Sequence, residues 1–403
     1  MFFDILLAII IGCCAGIVTG LIPGVHINLV SLILVSISGY FLGFTNGLVL
    51  GIFIIAMAVT HTFLDIIPSV FLGAPDSDTA LAVLPGHRML LEGRGYDAVK
   101  LTVIGSFFCL ISVIILIFIL IPVVPPVYNF ISPWIGWILI AVVSYMILKE
   151  QGKQKKFYSL FVFFLSGVLG IIVLNIPNLP QPLFPMLSGL FGISILLTSL
   201  SSKVKIPKQI ISKKLDIKGM DILKSVGAGT FSGSLTALFP GLGAAQAAII
   251  GMQLIGKKAG DYAFMILIGG VNTVNFIFSL VTLYTLNKAR NGAVVALAEI
   301  LKNINLSYLI VFLAVVLIVG GIAAFLALNI TKIFSKFITK INYQAVCISI
   351  IALISILVAC FSGLFGFFVL CVSTAIGLIP SLVGVKKSLA MGCLLLPVIL
   401  YFI

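Results

Sequence analysis

Residues 12–24 read GCCAGIVTGLIPG, and 217 positions further on residues 229–241 read GTFSGSLTALFPG. Six of the thirteen aligned pairs are identical: Gly12/Gly229, Gly16/Gly233, Thr19/Thr236, Leu21/Leu238, Pro23/Pro240 and Gly24/Gly241. Glycine, leucine and threonine are common in apolar helices, but T-x-L-x-P-G behind two glycines at fixed spacing is far more specific than composition. In each copy proline removes a backbone donor and the next glycine admits φ > 0, so a helix entering through the glycines breaks at the Pro-Gly step. What surrounds the two breaks decides the fold.

The surroundings are apolar nearly throughout. Hydrophobic residues fill 61% of the 403 positions and charged residues 9%, against about 25% charged in soluble domains. One soluble core could not hide that much apolar surface, whereas a bilayer makes hiding it unnecessary. Backbone groups in lipid must be paired internally, which leaves helices or a closed barrel. Apolar runs without strict alternation select helices. The runs cover 3–20, 26–42, 46–64, 97–122, 130–148, 157–174 and 183–200, then 225–239, 244–256, 261–283, 307–329, 343–360, 363–380 and 388–403. Residues 65–96 and 284–306 are mixed, with Asp, Glu, Arg, Pro and Gly among apolar positions. The sequence thus reads as an all-α polytopic membrane protein with a first repeat at 1–200, a basic linker at 201–224 and a second repeat at 225–403.

Charge sets the expected orientation. The net charge is +13, and seven lysines lie between Lys203 and Lys224 and four between Lys149 and Lys156. Short lysine-rich loops between apolar runs follow the positive-inside rule. If 149–156 and 201–224 are cytoplasmic, the uncharged NIPNLPQP at 175–182 is external. Arg88, Arg94, Lys100, Lys257, Lys258, Lys386 and Lys387 then fall inside, and the N-terminus outside. One half starts outside and the other inside, so the two repeats are expected to be inverted, with re-entrant helices at the Pro-Gly breaks, the plan of secondary transporters. Lys288, Arg290 and Lys302 fall on the external half. Either a boundary is displaced there or these cations are held inward for an anion.

Backbone groups freed at each break must face protein or a watery cavity, and the half-helix that follows presents its N–H groups and positive dipole end. Substrate contacts are therefore expected from Thr19, Pro23, Gly24, His26 and Asn28 at the first break. Thr236, Pro240, Gly241, Gly243 and Gln246 supply them at the second, and Arg290 and Asn291 at a further half-helix start. Simple kinks are the competing reading. Carboxylates inside membrane segments point to function, often as H⁺ or Na⁺ partners, so Asp65, Asp76 and Asp78 are candidates for ion coupling. Helix capping competes for Asp76 and Asp78. Asn272, Thr273 and Asn275 are the candidate counterparts in the second half, with helix pinning as the alternative.

Other classes fit poorly. No aromatic-interleaved basic domain suggests nucleic acid. Cys13, Cys14, Cys109, Cys347, Cys360, Cys371 and Cys393 form no C-x-x-C and lie in apolar runs, so neither a metal site nor a disulfide frame is expected. G-x-S-x-G, H-E-x-x-H and the P-loop are missing, and no enzymatic activity or cofactor is expected beyond a transported ion. The N-terminus lacks a basic n-region, the first cation being Arg88, and reads as a mature membrane segment.

In GIVTGLIPG (16–24), GSLTALFPGLG (233–243) and FLGAPDSDTALAVLPGHRMLLEGRGYDA (71–98), the chain resembles the large membrane subunit of tripartite tricarboxylate transporters, the TctA-like permeases. The likeness spans both halves. It implies a plasma-membrane permease and, as partners, a small membrane subunit and an extracytoplasmic binding protein. Taken together, the expectation is a secondary active transporter moving a small organic anion of the carboxylate class by symport with H⁺ or Na⁺. A carrier-lipid (polyprenyl phosphate) translocase and a non-transporting structural subunit are the alternatives.

Overall fold

The computed structural model describes residues 2–22, 38–72, 83–177, 179–201, 207–239, 243–256, 260–289, 291–338 and 343–403. Among them there is no strand. The first half comprises α1 (Phe2–Leu21), α2 (Gly47–Leu64) with a one-residue step into α3 (Ile66–Phe71), α4 (Val83–Leu91), α5 (Gly95–Ile131), α6 (Ile135–Leu148), α7 (Lys153–Leu174), α8 (Leu183–Leu187), a π segment (Ser188–Ile193) and α9 (Ser194–Ser201). The second comprises α10 (Gly219–Leu238), α11 (Ala244–Ile255), α12 (Asp261–Leu286), α13 (Gly292–Leu301), α14 (Leu306–Phe337), α15 (Tyr343–Val383) and α16 (Gly392–Phe402), the last preceded by a 3-10 turn over Lys387–Met391. Seven of the described stretches are long and apolar enough to cross a bilayer. The protein is an all-α polytopic membrane protein.

Two of those stretches hold more than one crossing. Gly95–Leu148 is a 54-residue stretch, about 80 Å if straight, against about 30 Å of bilayer hydrocarbon. Its ends meet the same neighbours. Arg94, before α5, lies over the ring of Tyr262 at the start of α12, and Tyr145 near the end of α6 hydrogen-bonds Gln253, eight positions before Asp261. The stretch therefore runs out and back, with the reversal among Pro122, Pro125, Pro126 and the 3-10 turn Ser132–Trp134. α15 is likewise broken at Gly363, whose φ of 67° and ψ of −170° leave the helical region; the sequence placed its boundary between 360 and 363. The mixed regions contain short helices, α3 and α4 in the first and α13 in the second.

The repeated glycines have equivalent uses. A Cβ on Gly16 would meet the carbonyl of Met57 and the side chain of Thr60; one on Gly233 would meet Val271 and Val274. Gly12 lies on Phe53 and Ala56, and Gly20 on Leu64. Contacts that advance together along both helices mean that α1 and α2 run parallel, as α10 and α12 do through Gly229 on Leu267 and Gly233 on Val274. The chain between two parallel helices has to return. In the second half α11 is part of that return: α10 ends at Leu238, Phe239 and Gly243 are extended, and α11 starts at Ala244. The counterpart between α1 and α2 lies largely outside the described residues.

Packing crosses between the halves. α2 packs on α14 while α12 packs on α5, and α7 packs on α16 while α15 packs on α8, the π segment and α9. α2 and α12 also touch each other and are almost wholly enclosed, whereas α5–α6 and α15 keep broad faces open to the surroundings.

Candidate functional site

The two enclosed helices carry an unusual polar load. Thr60, His61, Thr62 and Asp65 are buried on or just after α2, and Asn272, Thr273, Ser279 and Thr282 on α12. A helix shielded from both lipid and water gains nothing from polar side chains unless they pair or bind. Asp65 stands at the α2–α3 step, its backbone N–H donating to the His61 carbonyl at 2.9 Å. Ser69 donates to the Asp65 carbonyl at 3.0 Å, which fixes the short α3 against the step.

The Asp65 carboxylate is 4% exposed, and so is Asn272. The Asn272 amide donates to Asp65 Oδ2 at 2.7 Å and lies 3.4 Å from the Thr62 carbonyl. A hydrogen bond to a charged group contributes about 1.5–3 kcal/mol. Asp65, Asn272, Thr62, Thr102, Ser106 and Gly269 line a small internal cavity beside the pair. Ser106 donates to the Gly269 carbonyl at 2.9 Å, and Thr102 to its own helix at Val99. The α5 and α12 backbones come together here because Gly105 faces Ile266 and Gly269 faces Thr102; a side chain at either glycine would strike the opposite carbonyl. One carboxylate residue, one amide residue and three hydroxyl residues line one small space, an oxygen-rich setting for a hard monovalent cation or a proton.

Other sequence candidates are dispersed around this centre. Thr19 lies 3.1 Å from His61 Nδ1 and bonds back to the Gly16 carbonyl at 3.3 Å. Thr236, its repeat partner, bonds back to the Gly233 carbonyl at 2.6 Å. Thr273 is fully buried, and its hydroxyl has no hydrogen-bond partner among the described residues. Asn275 is half-buried, and its carbonyl accepts from Ser279 at 2.7 Å. Gly243 is the N-cap of α11, and Asn291 caps α13 by accepting from Ala293 N–H at 3.0 Å. α13 is thus the half-helix expected behind Asn291. Lys288 and Lys302 are exposed, and Lys288 Nζ donates to the Tyr128 hydroxyl at 2.9 Å. Pro23, Gly24, His26, Asn28, Asp76, Asp78, Pro240, Gly241 and Arg290 lie outside the described residues, as does the side chain of Gln246.

Five participants were not among the sequence candidates: His61, Thr62, Thr102, Ser106 and Gly269. A histidine four positions before Asp65 in an otherwise apolar run was a signal for the first. Thr102 and Ser106, one turn apart around Gly105, form a small-residue face that any packed helix also uses.

An interrupted hairpin and a buried carboxylate–amide pair between two enclosed helices are features that membrane transport proteins share. The comparisons identify the family. A family model described as the tripartite tricarboxylate transporter TctA family matches residues 6–392, and the chain belongs to that family, whose members are membrane components of transporters rather than enzymes. An uncharacterized protein of Methanocaldococcus jannaschii is 31% identical over 409 residues, covering 99% of each chain. No solved structure matches.

Proposed function

We propose that the protein is a secondary permease that carries a small carboxylate anion, coupled to entry of H⁺ or Na⁺, by alternating access between two inverted halves. The observation that carries this reading is the Asp65–Asn272 pair, a buried carboxylate held at 2.7 Å by an amide of the other half. Its charge must be carried, or neutralised by a cation, whenever the halves move relative to one another. Thr62, Thr102, Ser106 and the Gly269 carbonyl supply further oxygens around it. Thr19 and Thr236 stand beside the two helix breaks, where the half-helix N-termini would receive the anion. Asp76, Asp78, Thr273 and Asn275 are proposed as accessory groups for the ion, and His26, Asn28, Gln246, Arg290 and Asn291 for the substrate.

The reciprocal packing of the halves supports a pseudo-two-fold design. Arg88, Arg94 and Lys386 are tied to one end of the bundle through their contacts with Asp261, Tyr262 and Glu150, and Lys149 lies over the ring of Tyr145, which bonds Gln253 there. By the positive-inside rule that end faces the cytoplasm of a plasma membrane. The small membrane subunit and extracytoplasmic binding protein of tripartite systems are the proposed partners. The test is uptake of labelled citrate into proteoliposomes, with the small subunit and binding protein added, under an imposed Na⁺ or pH gradient. Gradient-dependent accumulation is expected. Equal uptake with and without either gradient would remove the coupling, and transbilayer movement of a polyprenyl phosphate in its place would move the protein to the carrier-lipid class.

A further inference from the structure

A second polar centre lies away from the Asp65 pair, at the cation-rich end of the bundle. There α4, α9, the end of α15 and the 3-10 turn before α16 surround an open cavity of about 660 Å³. Its charged lining consists of Arg88, Glu150, Lys386 and Lys387, with the hydroxyl-bearing Thr198 and Ser381 between them; Thr198 donates to the Ser194 carbonyl at 2.8 Å. Two of the three cations are matched. Arg88 pairs with Asp261 at 3.2 Å, and Lys386 with Glu150 at 3.0 Å, so the one carboxylate in the lining is already satisfied. Lys387 is different. It is 6% exposed, forms no ion pair among the described residues, and its Nζ donates to the neutral Ser194 hydroxyl at 2.7 Å. Ser194 is itself committed, donating to the Leu190 carbonyl at 2.7 Å at the end of the π segment. His87, also in the lining, has its Nδ1 3.2 Å from the Val70 carbonyl, and burial lowers its pKa, which favours the neutral ring.

Burial pushes the pKa of the Lys387 ammonium down to about 7, and an anion in the cavity would restore its charge. The cavity it lines is wide, Ser381 offers an exposed hydroxyl, and its single carboxylate is paired with Lys386. We propose that this cavity is an oxyanion site, taking a carboxylate or phosphate group on Lys387 with Thr198 and Ser381 beside it. The site is distinct from the Asp65 pocket and does not depend on the coupling reading. A free solute and a lipid headgroup offer the same oxygens, and the two sources are separable by experiment.

The full chain, purified in detergent, is titrated with inorganic phosphate, with citrate and with short-chain phosphatidylglycerol while thermal unfolding is followed, chloride serving as the ionic-strength control. Stabilisation by at least one of the three beyond the chloride effect is expected. In Lys387→Met, of similar length but uncharged, the apparent affinity should fall more than about tenfold, while Lys387→Arg should retain it. Asp65→Asn should bind inorganic phosphate, which is not the proposed transport substrate, like wild type, so failure of the coupling reading leaves this result untouched. Stabilisation by phosphate or citrate identifies a soluble ligand, and stabilisation by phosphatidylglycerol alone identifies a headgroup; both support the site. Wild-type protein gives a second readout: acylation of Lys387, followed by peptide mass spectrometry, should slow when the stabilising oxyanion is present. Stabilisation unchanged in Lys387→Met, or no stabilisation together with no protection from acylation, overturns the proposal.

Discussion

At the scale of single residues the decisive pair is Asp65 with Asn272. Each was legible as a polar group that an apolar run has no reason to hold, but nothing in the sequence couples two positions 207 residues apart. The pairing predicts two different failures. Asp65→Asn keeps the shape and removes the charge, so gradient-driven citrate uptake should vanish while substrate exchange down its own gradient persists. Undiminished driven uptake in that variant would leave Asp65 a structural residue. Asn272→Leu instead leaves a carboxylate without its amide donor, and should lower unfolding stability by about 1.5–3 kcal/mol. Combining Asn272→Leu with Asp65→Leu should recover part of that loss, because replacing both partners by apolar groups removes the desolvation penalty. If the double variant is less stable than Asn272→Leu alone, the pair is not the origin of the effect.

At the scale of elements, the glycine spacing shared by residues 12–24 and 229–241 is a packing device. On α10, Gly233 faces Val274 so closely that an added Cβ would lie 2.7 Å from the valine Cβ, while Gly227 on the same helix is exposed with nothing within 4 Å. Gly233→Ala should therefore destabilise by about 1–3 kcal/mol through overpacking. Gly227→Ala should stabilise by up to about 1 kcal/mol through helix propensity alone. Thermal unfolding of the two variants in one detergent decides it, and the opposite order would mean that α10 does not pack through its Gly233 face. The glycine positions were legible because only residues without side chains permit such approach. The partner helices were not, since a small-residue face says how near a neighbour comes without saying which neighbour it is. The π segment at Ser188–Ile193 left no mark in the sequence that a plain apolar helix would lack.

At the scale of the whole molecule, the basic linker is docked rather than loose. Gln209, 8% exposed, accepts from Gly95 N–H at 2.9 Å and donates to the Leu90 carbonyl at 2.9 Å. Lys100 reaches the Lys213 carbonyl at 3.0 Å, and Ser212 bonds the Asp97 carboxylate. These contacts bind the linker to the corner between α4 and α5, at the end where Arg88 and Asp261 pair. Cysteines placed at Lys213, Lys153 and Lys386 should accordingly react with an impermeant reagent from one side of the membrane, and a cysteine at Gln181 from the other. Labelling of Gln181 and Lys213 from the same side would break the proposed topology.

The sequence by itself determined the class of fold, because apolar content of this magnitude leaves a chain no home but the bilayer, and helices are what unalternating runs can form there. It also determined where helices are interrupted: around residue 240 and at 361–363 the breakers are local, and their steric effect needs no partner. It marked Asp65, Asn272 and Asn291 as residues with a task, since a polar group in an apolar run is expensive wherever the chain goes. Only the tertiary structure decided which helices are enclosed, that the carboxylate of one half meets the amide of the other, and that Lys387, read simply as one more cytoplasmic cation, is buried beside a cavity. Those outcomes depend on contacts between residues far apart in the chain, and neither the period nor the composition of either partner encodes such contacts.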